Sequence, residues 1–193
     1  MNEIIAALIG GILAAGTGWF FERRREMAQL DRARKILTRA ICDDLTHSFQ
    51  IYDKIAEEWE KTKTVWFAST NELKESRQAY VNSKDWIAVF DDEELRRKIF
   101  RYYLQSSDRI NTLEYQQRRK YEIEGKLNDM IRNIKFRDSS LSHEDALKMA
   151  LGYMQNESKE YDNLLAVLPE TVNKLAQFKG RAEDLTAQLK KHL

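Results

Sequence analysis

Beyond Gly18 the chain has one proline, Pro169, and three glycines, Gly125, Gly152 and Gly180. These residues punctuate a polypeptide: glycine frees the backbone, and proline fixes φ and removes a donor. A stretch this long with so few of them has little means of turning tightly. Its apolar residues recur at near-helical spacing, and the alternation expected of strands is scarce. The sequence therefore predicts an all-α fold of long helices separated by a few short breaks.

The other strong constraint lies at the start. Residues 4–21 carry no charge and are followed directly by Glu22-Arg23-Arg24-Arg25-Glu26. At 1.5 Å per residue the run spans about 27 Å, the thickness of a bilayer core. Only Met1, Asn2 and Glu3 precede it. Arg23, Arg24 and Arg25 follow, then Arg32, Arg34, Lys35 and Arg39. Basic residues mark the cytoplasmic flank of a span, and Trp19, Phe20 and Phe21 stand where an interfacial aromatic belt belongs. A cleaved signal peptide would need a basic start and a small-residue cleavage site, and this run has neither. The expectation is a single-pass anchor in the cell inner membrane at 1–26, N-terminus outside. A cytoplasmic antiparallel helical bundle or coiled-coil domain follows at 27–193.

Small residues recur within the run. Ala6, Gly10, Ala14 and Gly18 form one ladder of fourth positions, and Ala7, Gly11 and Ala15 form a second beside it. Such ladders let helix backbones approach closely in lipid. Gly10, Gly11, Ala14, Ala15 and Gly18 are the expected packing surface of a homo-oligomer.

The first helix is expected to run unbroken from Ile4 to about Lys61, about 85 Å. Its stripe is Met27, Leu30, Leu37, Ile41, Leu45, Phe49, Tyr52, Ile55 and Trp59. Lys61–Thr64 reads as a break, after which Ser69 or Thr70 caps a shorter helix toward Val81. Eleven of the twenty aromatic residues lie between Phe49 and Tyr103. That predicts the thickest core there, with Trp66, Phe67, Leu73, Tyr80 and Trp86 contributing. At Phe90-Asp91-Asp92-Glu93-Glu94-Leu95, Asp91 reads as the N-cap and Glu94 as N3, with Phe90 and Leu95 as a hydrophobic staple. The next helix carries Leu95, Ile99, Tyr103, Ile110, Leu113, Tyr121, Leu127, Ile131 and Ile134, interrupted by Ser106 and Gln117. After a loop at Arg137–Ser142, Ser142 caps a fourth helix through Leu165. Pro169 either kinks that helix or opens a fifth, whose stripe is Val172, Leu175, Phe178, Ala182, Leu185 and Leu189.

Composition narrows the function. Charged residues make up 33% and the net charge is +1. That balance argues against a general nucleic-acid binder. The single cysteine, Cys42, sits beside Asp43 and Asp44, which disfavour its thiolate, and reads as a packed thiol. Asp44 and His47 share a helix face, but a bundle metal site needs a second acidic-histidine pair on another helix, and the sequence has none. No phosphate loop, dinucleotide fingerprint or paired-histidine zinc motif occurs. Metal, cofactor and small-molecule substrate are not expected. The basic–aromatic run Arg96–Tyr103 reads as a helix with its rings in the core and its cations in solvent. The layout resembles that of many bacterial single-pass proteins: short outer tail, Gly-rich span, basic stop and helical domain.

One short motif points elsewhere. Arg137-Asp138-Ser139-Ser140-Leu141-Ser142-His143 reads Arg-Asp-x4-His. It resembles the signature of HEPN-type ribonucleases, a helical and usually dimeric family. The resemblance implies that Arg137 stabilises a phosphate and His143 acts as general acid or base across a dimer. The leading expectation remains a non-catalytic, homo-oligomeric interaction or scaffold protein with an unidentified protein partner. The membrane-tethered ribonuclease of defence or toxin type is the alternative.

Overall fold

The computed structural model describes the backbone from Asn2 and the side chains from Gly18, both through to Leu193. Among the described residues every regular element is helical. The helices are α1 (Asn2–Thr62), α2 (Phe67–Glu75), α3 (Gln78–Ser83), α4 (Glu93–Arg137), α5 (His143–Tyr153), α6 (Gln155–Ala176) and α7 (Phe178–Leu189). Short 3-10 turns occupy Lys84–Val89 and Lys190–His192. Most of the apolar run at 4–21 lies outside the residues whose side chains are described, so the expected membrane span is not among them. The described residues contain no helix long and apolar enough to cross a membrane.

Three long rods make the bundle. Arg34 meets Asp91, and the Tyr52 and Tyr102 hydroxyls lie 3.1 Å apart, so α1 and α4 run in the same direction. Asp53 pairs with Lys179 at 2.7 Å, while Lys98 reaches Gln188 and Arg181 reaches Gln105. α7 therefore runs back between them. α2 and α3 close one side.

The main core joins Leu37, Ile41, Leu45, Ile51, Tyr52, Ile55 and Trp59 of α1 to Leu95, Ile99, Tyr102, Tyr103, Ile110 and Leu113 of α4. Leu168, Val172 and Leu175 of α6 and Phe178, Ala182, Leu185 and Leu189 of α7 complete it. The stripe of α7 and the second half of α6 is buried along its whole expected length. Leu73 and Phe90 also join this core. Trp66 and Trp86 do not; both lie exposed on the outside of the short elements.

α4 has 45 residues, about 67 Å, and outruns α1. Past Gln117 it is covered by α5 and the start of α6 instead. Ile131 and Ile134 pack on Ala146 and Ala150, and Ile123 on Met154 and Leu164. Tyr121, expected in the seam, is partly exposed against Phe67, with ring centroids 5.8 Å apart. Phe100, expected in the core, faces outward.

Helix ends separate local from tertiary causes. α1 stops where expected, with Lys63 at φ 51° in the left-handed region. Ser142 caps α5 as expected: its hydroxyl oxygen accepts from the Asp145 N–H at 3.1 Å. Neither Ser69 nor Thr70 caps α2. Glu58 of α1 takes that role, accepting from the Trp66 N–H at 3.1 Å and the Ser69 hydroxyl at 2.5 Å. The cap of α4 is Asp92 rather than Asp91; its carboxylate accepts from the N–H groups of Glu94 and Leu95 at 2.9 and 3.1 Å. Asp91 is drawn aside by Arg34. The expected fourth helix is two, parted at Met154, which leaves helical geometry at φ −106°, ψ 38°. The bend keeps Ala146 and Ala150 on the end of α4 while α6 lays Leu164 and Leu168 further along it. Pro169 marks no boundary. It lies inside α6, and the chain breaks instead at Gln177.

Hydrogen bonds from the Leu95 N–H, and secondarily from Glu94, hold the Asp92 carboxyl below the usual carboxylate range against a smaller opposing desolvation. A lowered carboxyl pKa supplies stability that is present above the unfolded-state value and lost as pH falls through the folded one. Asp92→Ala is expected to lower the unfolding midpoint at neutral pH more than Asp91→Ala does. It should also flatten the acid limb of the stability profile. Thermal unfolding of both variants between pH 2 and 7 checks this.

Candidate functional site

Glutamate, arginine, methionine, alanine, glutamine, leucine and lysine dominate positions 22–35, and all are strong helix formers. Asp31 and Lys35 add an i, i+4 ion pair at 3.1 Å. α1 accordingly stays helical through a segment that no other part of the chain covers. From Gly18 to Arg32 every residue is exposed. The bundle takes hold at Ala33–Lys35, where the Arg34 Nε–H donates to the Val89 carbonyl at 2.9 Å.

The bare segment is not polar all round. Trp19, Phe20 and Phe21 are 60%, 49% and 68% exposed, and Met27 and Leu30 are 64% and 53%. Arg23 lies over the Trp19 ring at 5.2 Å and Arg24 over the Phe20 ring at 4.7 Å. Guanidinium on aromatic face is an arrangement suited to a polar–apolar boundary. Phe20, Met27 and Leu30 precede Leu37 and Ile41 at heptad spacing, so one continuous stripe is bare in the stalk and buried in the bundle. Of the small-residue ladder, Gly18 alone has described surroundings: a Cβ there would meet nothing within 4 Å. Gly10, Gly11, Ala14 and Ala15 lie outside the described side chains.

Arg137 is the last residue of α4 and His143 the first of α5. Both are exposed at the end of the bundle opposite the stalk. The turn between them is held by Asp138, which accepts from the Ser140 N–H at 3.0 Å and the Ser140 hydroxyl at 2.5 Å. No hydrogen bond or ion pair joins Arg137 to His143 among the described residues. The same residues contain no cluster of three or more groups able to hold a metal ion. Asp44, considered with His47 as half of such a site, instead accepts from the Ala79 and Tyr80 N–H groups at the start of α3. Its burial outweighs those bonds and raises its carboxyl above the ordinary value. Burial likewise raises the Cys42 thiol, in keeping with a packed, unreactive cysteine.

A buried polar centre went unrecognised in the sequence. Arg77, 6% exposed, donates to the Tyr103 carbonyl and to the Ser107 hydroxyl, the latter at 2.6 Å. Its guanidinium lies 5.3 Å from the Tyr103 ring, which also stacks parallel on Tyr80 at 3.8 Å and meets Tyr102 edge-on at 5.2 Å. Tyr52 and Tyr102 share a hydrogen bond beside it. No ion pair is formed by Arg77 among the described residues, and its desolvation weakens its hold on the proton. Desolvation also drives the Tyr102 and Tyr103 phenols well above their ordinary values, so both stay protonated. The sequence signal was tyrosine at Tyr52, Tyr80, Tyr102 and Tyr103, spread over three helices. Nothing local distinguishes Arg77 from a surface arginine.

No family model, curated protein or solved structure matches this chain.

Arg77→Ala is expected to destabilise the bundle by about 2–3 kcal/mol, since it strips buried carbonyl and hydroxyl partners and leaves a void. Tyr52→Phe should cost about 1 kcal/mol for one lost hydrogen bond. His143→Ala should stay within about 0.5 kcal/mol of the parent, as exposed substitutions do. Urea unfolding of the three variants checks the order.

Proposed function

We propose that the chain is a membrane-anchored helical scaffold that associates with copies of itself and has no catalytic activity. On this reading residues 1–26 are the anchor and basic stop, with the N-terminus outside the inner membrane. Residues 27–193 are the cytoplasmic domain, which docks a protein partner. The observation that carries it is the bare segment of α1. An isolated helix of fifteen or so residues is marginal in water, and tertiary packing normally supplies its stability. Here the chain itself supplies none between Gly18 and Arg32. Lipid headgroups suit Trp19, Phe20 and Phe21 with Arg23, Arg24 and Arg25 beside them. A second stalk suits Met27 and Leu30, because the anchors of two copies bring the stalks together in parallel. The small-residue ladder at Gly10, Gly11, Ala14, Ala15 and Gly18 supports association between anchors, on a face of the helix separate from Met27 and Leu30.

The ribonuclease reading has one observation in its favour: Arg137 and His143 are both exposed and free of intramolecular partners among the described residues. On that reading His143→Ala abolishes RNA cleavage by the purified protein.

For the scaffold, Met27→Cys in a Cys42→Ala background is expected to form a disulfide between copies in lipid nanodiscs. Adding Leu30→Asp should suppress that link while leaving the unfolding midpoint of the bundle in place. A protein that sediments as a monomer in detergent and forms no such link rules out self-association through the stalk.

A further inference from the structure

The bend at Met154 parts α5 from α6 and leaves a hollow of about 280 Å³ between them and α4. Its walls are Ile123 and Leu127 of α4, Leu147 and Leu151 of α5, and Met154 itself. The floor is apolar and closed: Ile123 is 3% exposed and Met154 6%. The remaining lining is polar and comes from Glu124, Ser158, Tyr161 and Asp162. A few polar groups on an otherwise apolar concavity is the usual make-up of a small-molecule site.

Volume limits the occupant. A dry aliphatic cavity of about 150 Å³ takes a benzene ring. This one is nearly twice as large, enough for a phenyl ring with a two- or three-carbon arm and far too small for a helix. Charge limits it further. Glu124 Oε1 accepts from the Tyr161 hydroxyl at 2.8 Å and has Lys120 Nζ at 3.6 Å. Oε2 of Glu124 accepts no hydrogen bond among the described residues. Asp162 is exposed and makes neither a hydrogen bond nor an ion pair among them. The polar edge thus offers more carboxylate than the chain itself neutralises. An anionic guest is repelled there, and a neutral one gains nothing from the charge of Asp162.

We propose that this hollow binds a small aralkyl ammonium, its apolar body against Ile123, Leu147 and Leu151 and its cation between Glu124 and Asp162. The site stands apart from the stalk and does not depend on the scaffold reading. Three probes differing only in the head group test it on the full chain in nanodiscs, with empty nanodiscs as the blank. They are 2-phenylethylammonium, 2-phenylethanol and 3-phenylpropionate, followed by titration calorimetry and ligand-observed NMR. The ammonium is expected to bind with a submillimolar Kd, the alcohol about tenfold more weakly and the carboxylate not at all, as one charge-assisted hydrogen bond requires. Asp162→Asn, on an exposed side chain, should bring the ammonium down to the affinity of the alcohol. Leu151→Trp should block both, with the unfolding midpoint of either variant unchanged. Equal binding of ammonium and alcohol, an unaffected Asp162→Asn variant, or no ammonium binding at millimolar concentration overturns the proposal. So does binding of lysine-bearing peptides without the free amine.

Discussion

Between Leu37 and Trp59, α1 buries one face against α6 and α7, with α2 and α3 closing beside them and Tyr52 reaching across to Tyr102 of α4, and the rest of the bundle is arranged to keep that face covered. A helix this polar on its other side has no second way to bury itself, and fully buried side chains such as Ile41, Leu45 and Ile55 each contribute about 1.5–3 kcal/mol. The antiparallel return of α7 follows from this. Its residues from Phe178 to Leu189 supply apolar partners along α1 from about Cys42 to Asp53, and Leu168, Val172 and Leu175 of α6 join them in the same core. Lys179 and Asp53 pair beside the seam at one end, and Lys190 stands close to Cys42 at the other. The partners of α1 run out at both ends, below Leu37 and beyond Trp59. α4, which continues past Trp59, must recruit α5 and the start of α6 to cover its own tail.

Inside that apolar frame the polar groups mark where the packing changes. Ser48 and Ser76 share a hydrogen bond at 2.9 Å between α1 and the end of α2, where small side chains allow a close approach. Arg77 follows at once and fills the space between α3 and the tyrosines of α4 with a planar group that stacks as well as donates. Gln117 is 1% exposed, and both polar atoms of its amide lack a partner. It sits where the main core ends and the distal cores begin. A buried unsatisfied amide costs stability, and in a helical seam its best-attested use is to fix register. Placed at this junction, it disfavours any slide of α4 that would carry the distal half into the main core.

The long stripes were legible because they depend only on periodicity. Leu37 through Trp59, with Phe49 only half-buried, Leu95 through Leu113 and Val172 through Leu189 are buried as their spacing predicts. Ser142 was legible because a serine cap is made within four residues. Most of the misreadings share one cause, a partner distant in sequence. Glu58 caps α2 from another helix, and Arg34 diverts Asp91 so that the neighbouring Asp92 becomes the cap. Trp66 and Trp86 are as apolar as their buried neighbours, and only the placement of the short elements leaves them outside, whereas Phe100 lies on α4 off the stripe of Leu95, Ile99 and Tyr103 and faces outward for that reason. Arg77 is the reverse case: a residue type that belongs on surfaces is enclosed because tyrosines from two other helices surround it. For Arg137 and His143 the sequence showed a motif, and the fold adds a turn in which Asp138 and Ser142 already have structural work as turn and cap.

The continuity of α1 has a mechanical meaning on the scaffold reading. A flexible hinge at the membrane boundary would let each bundle rotate independently of its anchor. Here the same hydrogen-bonded ladder runs from Asn2 to Thr62, without proline and without a break near Arg25. Each helical residue turns the chain by about 100°, so Gly18 and Met27, nine residues apart, look in opposite directions, and stalks that meet on Met27 keep the small-residue face turned away from their contact. The stripe of Phe20, Met27 and Leu30 lies in phase with Leu37 and Ile41. Two stalks that meet on that stripe therefore approach along the line on which α1 enters its own core. Arg34 stands where this approach must end. Its bonds to Val89 and Asp91 lash the stalk to the start of α4, and above that point the same stripe belongs to the bundle and is closed to a second copy.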